Sequence, residues 1–135
     1  MPVVYSIDCD TRIISTVCSG PLRLSDVTGH FRALMDDPAC TGRLDVLLDV
    51  SDVSTLPESS QLGLVKSEVA AVRKKVEWGL CAIAANSDAM FGMMRMFEVI
   101  VGPYFHEIRV FRSKTDAEGW LSARRSVDPP PPINL

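Results

Sequence analysis

At 135 residues, the chain is long enough to form one domain with its own hydrophobic core. Hydrophobic residues make up 47% of the sequence and charged residues 23%, as in ordinary globular proteins. The formal net charge of -3 argues against nucleic-acid binding, which requires a basic surface. The densest basic group, residues 73–75, is better explained as a solvated helix face. We therefore expect a single globular domain with no nucleic-acid partner.

The N-terminus and the cysteines indicate a cytoplasmic protein. The first residues, MPVVYSID, lack the basic and apolar regions of a signal peptide. No apolar run approaches the roughly 18 residues of a membrane-spanning helix, so we expect no integral membrane segment. The four cysteines form no C-x-x-C pair, which argues against a zinc site or a redox dithiol.

The first third of the chain predicts a β-hairpin followed by a helix. Residues 3–8 and 12–19 have the composition of strands and are separated by a short polar turn. Ser25 is a suitable N-cap, and apolar residues follow it at helical spacing. Asp37 and Pro38 then end this first helix.

Beyond residue 42, three strands are predicted to alternate with three helices. Apolar runs predict strands at residues 44–50, 78–85 and 106–111. Apolar spacing and capping residues predict helices at residues 58–75, at 88–101 after Ser87 or Asp88, and from Thr115, where Glu118 completes a capping box. The run WGLCAIAA at 78–85 carries no charge, which is typical of a central strand covered on both faces. Asp52 is predicted to shape the turn after the third strand.

This order of elements predicts an α/β fold. The sheet is expected to be mixed and mostly parallel, with five strands, one antiparallel edge strand and about four helices. The domain is predicted to occupy residues 1–124. Residues 125–135 form a proline-rich tail, whose four consecutive prolines favour an extended polyproline conformation.

The element order and several apolar segments resemble the SpoIIAA-like (STAS/SEC14 domain) family, related in fold to bacterial anti-sigma-factor antagonists. The resemblance is carried by LLDV at 47–50, AIAA at 82–85 with the Met/Phe helix after it, and the closing segments IRVF at 108–111 and AEGWL at 117–121. It covers nearly the whole chain to about Leu121. It implies a STAS-like fold and a non-enzymatic regulatory or protein-interaction role.

The same resemblance implies a phosphorylation site. In the antagonists, the loop after the third strand carries an Asp-Ser-Ser-Gly-Leu motif, and a partner kinase phosphorylates the first serine. The comparable residues here are ESSQL at 58–62, which makes Ser59, with Ser60 beside it, the implied phosphoacceptor. A protein partner would then contact the loop at residues 51–60. A phosphate at a helix N-terminus is electrostatically favourable, but two serines there are also ordinary capping residues.

The predicted third helix is apolar on nearly every side. In its sequence, MFGMMRMFEVIV at 90–101, Met90, Met93, Met94 and Phe97 fall on one face. Such a helix must be covered by the rest of the core, by a second subunit or by an apolar ligand. Methionine suits adaptable contact surfaces. We predict these four residues as a ligand or homodimer surface, and the SEC14 part of the family name suggests a lipid-like ligand by analogy.

No catalytic or metal-binding motif accompanies these features. The sequence contains no nucleophile elbow, Walker loop, dinucleotide-binding glycine motif or H-E-x-x-H pair. Neither His30 nor His106 stands at motif spacing from a nucleophile, so structural or surface roles are expected for both. Asp45 and Asp49 would lie about 13 Å apart along a strand, too far to share a metal ion. We therefore expect no enzyme, metal or cofactor, and predict a regulatory or interaction domain or, alternatively, a carrier or sensor of a small apolar or lipid-like ligand.

Overall fold

The computed structural model describes residues 2–55 and 58–127. One sheet has the strand order β1 (Val3–Asp8), β2 (Ile13–Pro21), β3 (Gly42–Thr55), β4 (Val76–Ala84) and β5 (Glu107–Phe111). The described chain also contains the α-helices α1 (Leu24–Asp36), α2 (Leu62–Arg73), α3 (Asp88–Val101) and α4 (Lys114–Val127). Strand β1 is antiparallel to β2, and all other neighbours are parallel. The predicted α/β class and the mixed, mostly parallel five-stranded sheet are confirmed.

The helices cover the two faces of the sheet unequally. Each parallel connection moves one place along the sheet, so right-handed crossovers put α1, α2 and α3 on the same face. Leu34, Val72 and Met94, one from each helix, are buried in the core on that side. Helix α4 lies on the opposite face, where Ala117 and Leu121 pack against β4. Strand β4 is buried at nearly every position, which confirms the predicted central strand covered on both faces.

Strand β3 is longer than the sequence predicts. It continues past Val50 to Thr55 because β2 also extends, and Ser19 of β2 pairs with Asp52. Val53, in the added segment, is buried in the core. The prediction that Asp52 shapes a turn is therefore wrong. Residues 56 and 57 of the predicted loop lie outside the described residues.

The N-terminal caps of α1 and α3 show how a local hydrogen bond sets a helix start. Helix α1 begins before the predicted cap Ser25, since the Asp26 carboxylate accepts a hydrogen bond from the backbone N–H of Arg23 at 2.9 Å. For α3 the prediction is confirmed. The Ser87 hydroxyl accepts a hydrogen bond from the backbone N–H of Met90 at 3.2 Å.

Helices α2 and α4 also begin elsewhere than predicted. A 3₁₀ turn, Ser59–Gln61, precedes α2, so the two serines lie before the α-helix rather than in its first turn. In α4 the cap is Ser113, whose hydroxyl accepts a hydrogen bond from the N–H of Asp116 at 3.1 Å, and not Thr115. The helix continues through residues 125–127, the first part of the predicted tail. Residues 128–135 lie outside the described chain.

Candidate ligand-binding cavity

A cavity of about 120 Å³ lies between the sheet and helices α1–α3. Its walls come from β1 to β4, from all three helices and from Phe105 just before β5. The cavity is only partly enclosed, and close-packed proteins leave few spaces of this size between their elements. Strand β2 contributes Ile14, Thr16 and Cys18 to this wall.

The methionine-rich face of α3 borders this cavity. Met93, Met94 and Phe97 line it directly, and Met90 is buried in the adjoining core cluster. The outward side of α3 instead exposes Met96 and Val99, which are 47% and 76% accessible. The four predicted site residues therefore point into the protein, and two other residues form the outer apolar surface of the helix.

The cavity wall is almost wholly apolar. Among the described residues that line it, none is an aspartate, glutamate, lysine or arginine. Burial raises the pKa of the Cys18 thiol to about 11, and it also raises that of Cys81. Both thiols are therefore protonated and weakly nucleophilic at neutral pH. The cavity suits a neutral, apolar molecule.

His30 supplies a polar atom at the edge of this apolar space. It lines the cavity from α1, and its Nδ1 is buried with no hydrogen-bond partner among the described residues. The imidazole lies edge-on to the ring of Tyr5, with a centroid separation of 5.2 Å, and contacts Phe31 at 5.4 Å. Burial lowers the pKa of His30 to about 4, so the ring is neutral at physiological pH.

The other sequence-predicted candidates lie away from the cavity. His106 is exposed, and its Nε2 lies 3.1 Å from a carboxylate oxygen of Glu77. Ser60 is exposed in the 3₁₀ turn before α2, and the side chain of Ser59 lies outside the described part of the structure. His106 and Ser60 do not converge on a common site with His30.

Asp45 is buried and is held by a hydrogen bond and an ion pair within the protein. It is 1% accessible, its Oδ1 accepts a hydrogen bond from the backbone N–H of Leu80 at 2.7 Å, and its Oδ2 pairs with Arg125 of α4. Within residues 2–55 and 58–127, no group of three or more His, Cys, Asp or Glu side chains is arranged to hold a metal ion. None of the helices described is both long and apolar enough to cross a bilayer.

Comparison with known proteins supports the fold. The chain is similar to the solved structure of an uncharacterized protein from the DUF3478 family with a SpoIIAA-like fold, from Shewanella loihica PV-4. The TM-score is 0.59 at 17% sequence identity, and the match covers 88% of this chain and 91% of that one. No family model and no curated protein matches the sequence. A likeness at this identity establishes the architecture, so the resemblance predicted from the sequence is confirmed for the fold.

Proposed function

We propose that this SpoIIAA-like domain is a non-enzymatic binding protein that carries or senses a small, neutral, apolar ligand beneath α1–α3. The observation that supports this function is the apolar cavity of about 120 Å³. An engineered apolar cavity of about 150 Å³ stays dry and takes up benzene. A single aromatic ring, or a hydrocarbon group of similar size, therefore matches the space available here.

The chemistry of the wall favours binding over catalysis. Acid–base catalysis needs titratable groups that face the reacting atoms, and nucleophilic catalysis needs an activated side chain. Among the described residues of this wall, the titratable groups are the imidazole of His30 and two protonated thiols. We accordingly propose a carrier or sensor, and we retain the cytoplasm as its expected compartment.

Filling the cavity should abolish binding. Val65 lines the cavity from α2 and is 5% accessible, so Val65→Phe would place a ring where the ligand sits. We expect its affinity for the probe benzene, measured by ligand-observed NMR titration, to fall at least about tenfold. Its melting temperature should be unchanged or higher, because a filled void adds apolar contacts.

The matched control makes the same substitution outside the cavity. Val4→Phe, at an exposed position of β1, should bind benzene as the wild type does. The proposal is wrong if the wild-type protein shows no saturable benzene binding, or if Val65→Phe binds benzene as tightly as Val4→Phe does. Native mass spectrometry of the purified protein, compared with its denatured mass, would detect a ligand retained from the cell.

A second role, as a regulatory protein-interaction domain that forms a homodimer, is supported by the outer face of α3. Met96 and Val99 are exposed there, next to an Arg95–Glu98 ion pair of 3.0 Å. Exposed apolar side chains grouped on one helix face are a common feature of subunit interfaces. The oligomeric state in solution tests this role.

Phosphorylation at Ser59, with Ser60 as the alternative acceptor, remains a proposal from the family resemblance. Its structural support is the exposure of Ser60 in the 3₁₀ turn before α2. Phosphopeptide mapping of protein isolated from its native cells, with Ser59→Ala and Ser60→Ala as paired variants, would locate the phosphate. Protein that carries no phosphate under any growth condition would contradict the proposal.

A further inference from the structure

We infer that the ligand of the cavity carries a single hydroxyl group, which forms a hydrogen bond with Nδ1 of His30. This inference rests on the proposed function, because it assigns a chemical class to the molecule that the cavity would hold. The ligand would then have a small hydrocarbon body, packed among Met93, Met94 and Phe97, and one neutral polar end directed toward α1.

The buried nitrogen of His30 is the observation that carries the inference. Buried polar atoms in folded proteins nearly always have a hydrogen-bond partner, since leaving one unpaired costs free energy. Nδ1 of His30 is buried, and no described residue provides such a partner. His30 also lines the cavity, so a molecule held there would contact this residue.

The hydrogen-bond donors of Tyr5 and Trp78 are already engaged. The Tyr5 ring contacts the imidazole, but its hydroxyl donates a hydrogen bond of 2.8 Å to Asp37. Across the cavity, the Trp78 indole N–H donates to the backbone carbonyl of Val69 at 3.3 Å. Neither donor is free to serve Nδ1.

The electrostatics of the wall select a hydroxyl over a charged group. A carboxylate or an ammonium would be buried with no lysine, arginine, aspartate or glutamate among the described lining residues, at a large desolvation cost. The imidazole of His30 is neutral at pH 7, since burial lowers its pKa to about 4. A hydroxyl both donates and accepts hydrogen bonds, so it pairs with Nδ1 in either tautomer of the neutral ring.

A matched pair of probes isolates the hydroxyl. Benzene and phenol differ by this one group, and their dissociation constants would be measured by ligand-observed NMR on the wild type and on His30→Leu. We expect the preference for phenol over benzene, expressed as the ratio of the two constants, to fall about tenfold in His30→Leu. His106→Leu, which removes the exposed histidine outside the cavity, should leave both constants unchanged.

A second readout does not depend on any variant folding. In the wild-type protein labelled with ¹⁵N-histidine, phenol should shift the Nδ1 resonance of His30, and benzene should not shift it to a similar extent. His30→Phe provides another apolar replacement if His30→Leu is unstable.

The outcomes separate this inference from the proposed function. If both probes bind but their affinity ratio is the same in wild type and His30→Leu, the hydroxyl inference is overturned and the cavity remains an apolar binding site. A buried water that serves Nδ1 would give this same result. If neither probe binds the wild type, the proposed function fails as well.

Discussion

Gly79 of β4 lies directly against the buried carboxylate of Asp45. A Cβ atom at this position would overlap Oδ1 of Asp45 and would lie 2.8 Å from Nε of Arg43. The neighbours cannot move away easily, because Asp45 also accepts a hydrogen bond from the N–H of Leu80 and pairs with Arg125. The absence of a side chain at residue 79 is thus required by the ion pair beside it.

Gly79→Ala should therefore destabilise the protein strongly. We expect the free energy of unfolding, measured by urea denaturation, to fall by about 3 kcal/mol through overpacking and disturbed hydrogen bonds. The same substitution at Gly92, an exposed position of α3 with no atom near the added methyl group, should raise it by about 0.5–1 kcal/mol. Equal stabilities of the two variants would show that Asp45 and Arg43 rearrange without cost.

Asp45 also shows that a sequence pattern can indicate a buried charge without revealing its partner. Its position in an apolar strand indicates burial, and a buried aspartate needs a partner. That partner, Arg125, is 80 residues away along the chain, in a segment that the sequence assigns to the tail. The pairing could not be predicted because it depends on where α4 crosses the opposite face of the sheet.

The C-terminal end of α1 is capped by a side chain from the turn between α2 and β4. The Lys75 ammonium group, just before β4, donates hydrogen bonds to the carbonyls of Leu34, Met35 and Asp37 at 3.0, 2.8 and 2.7 Å. These carbonyls lie at the C-terminal end of α1, where the helix dipole favours a positive charge. The interpretation of residues 73–75 as a wholly solvated basic face is therefore wrong for Lys75, which is half-buried.

Lys75→Met should loosen the contact between α1 and the start of β4. It keeps most of the aliphatic chain but removes the ammonium group, leaving carbonyls of the last turn with fewer donors. We expect the free energy of unfolding to fall by about 2 kcal/mol in chemical denaturation. Lys74→Met, at the exposed neighbouring position, should change it by less than about 0.5 kcal/mol. A Lys75→Met protein as stable as Lys74→Met would refute the capping role.

The type and order of the elements were predictable because hydrophobic periodicity is local information. The runs that became β4 and α3 each carry their own signal, and Ser87 marks the start of α3 by its local chemistry. The extension of β3 to Thr55 was not predictable in this way. It depends on pairing with β2, and that pairing lies outside any window of sequence.

For the molecule as a whole, the sequence identified a face of α3 but not the space beside it. The spacing of Met93, Met94 and Phe97 placed them together, and the structure shows them on the cavity wall. The volume of a cavity depends on how closely the side chains of several elements pack together, and no single stretch of sequence contains that information. In the sequence His30 is an isolated histidine, and nothing in its neighbours along the chain indicates a buried nitrogen without a hydrogen-bond partner.

Self-association through the outer face of α3 would be visible in the size of the whole molecule. We expect light scattering after gel filtration, in reducing buffer because Cys9 is an exposed free thiol, to give a dimer for the wild type. Val99→Glu, which places a charge on the exposed apolar surface, should give a monomer. Ser122→Glu on α4 is the control and should remain dimeric. A monomeric wild type would rule out the homodimer.

The strand order also determines the order in which the strands can pair while the chain folds. Each strand pairs with its neighbour along the chain, so a nascent polypeptide can add strands one at a time without closing a long loop. Helix α4 is the exception, since Arg125 reaches back to the carbonyl of Thr11, 114 residues earlier. During synthesis from the N-terminus, the face of β4 that packs against α4 therefore stays exposed to solvent until α4 has left the ribosome.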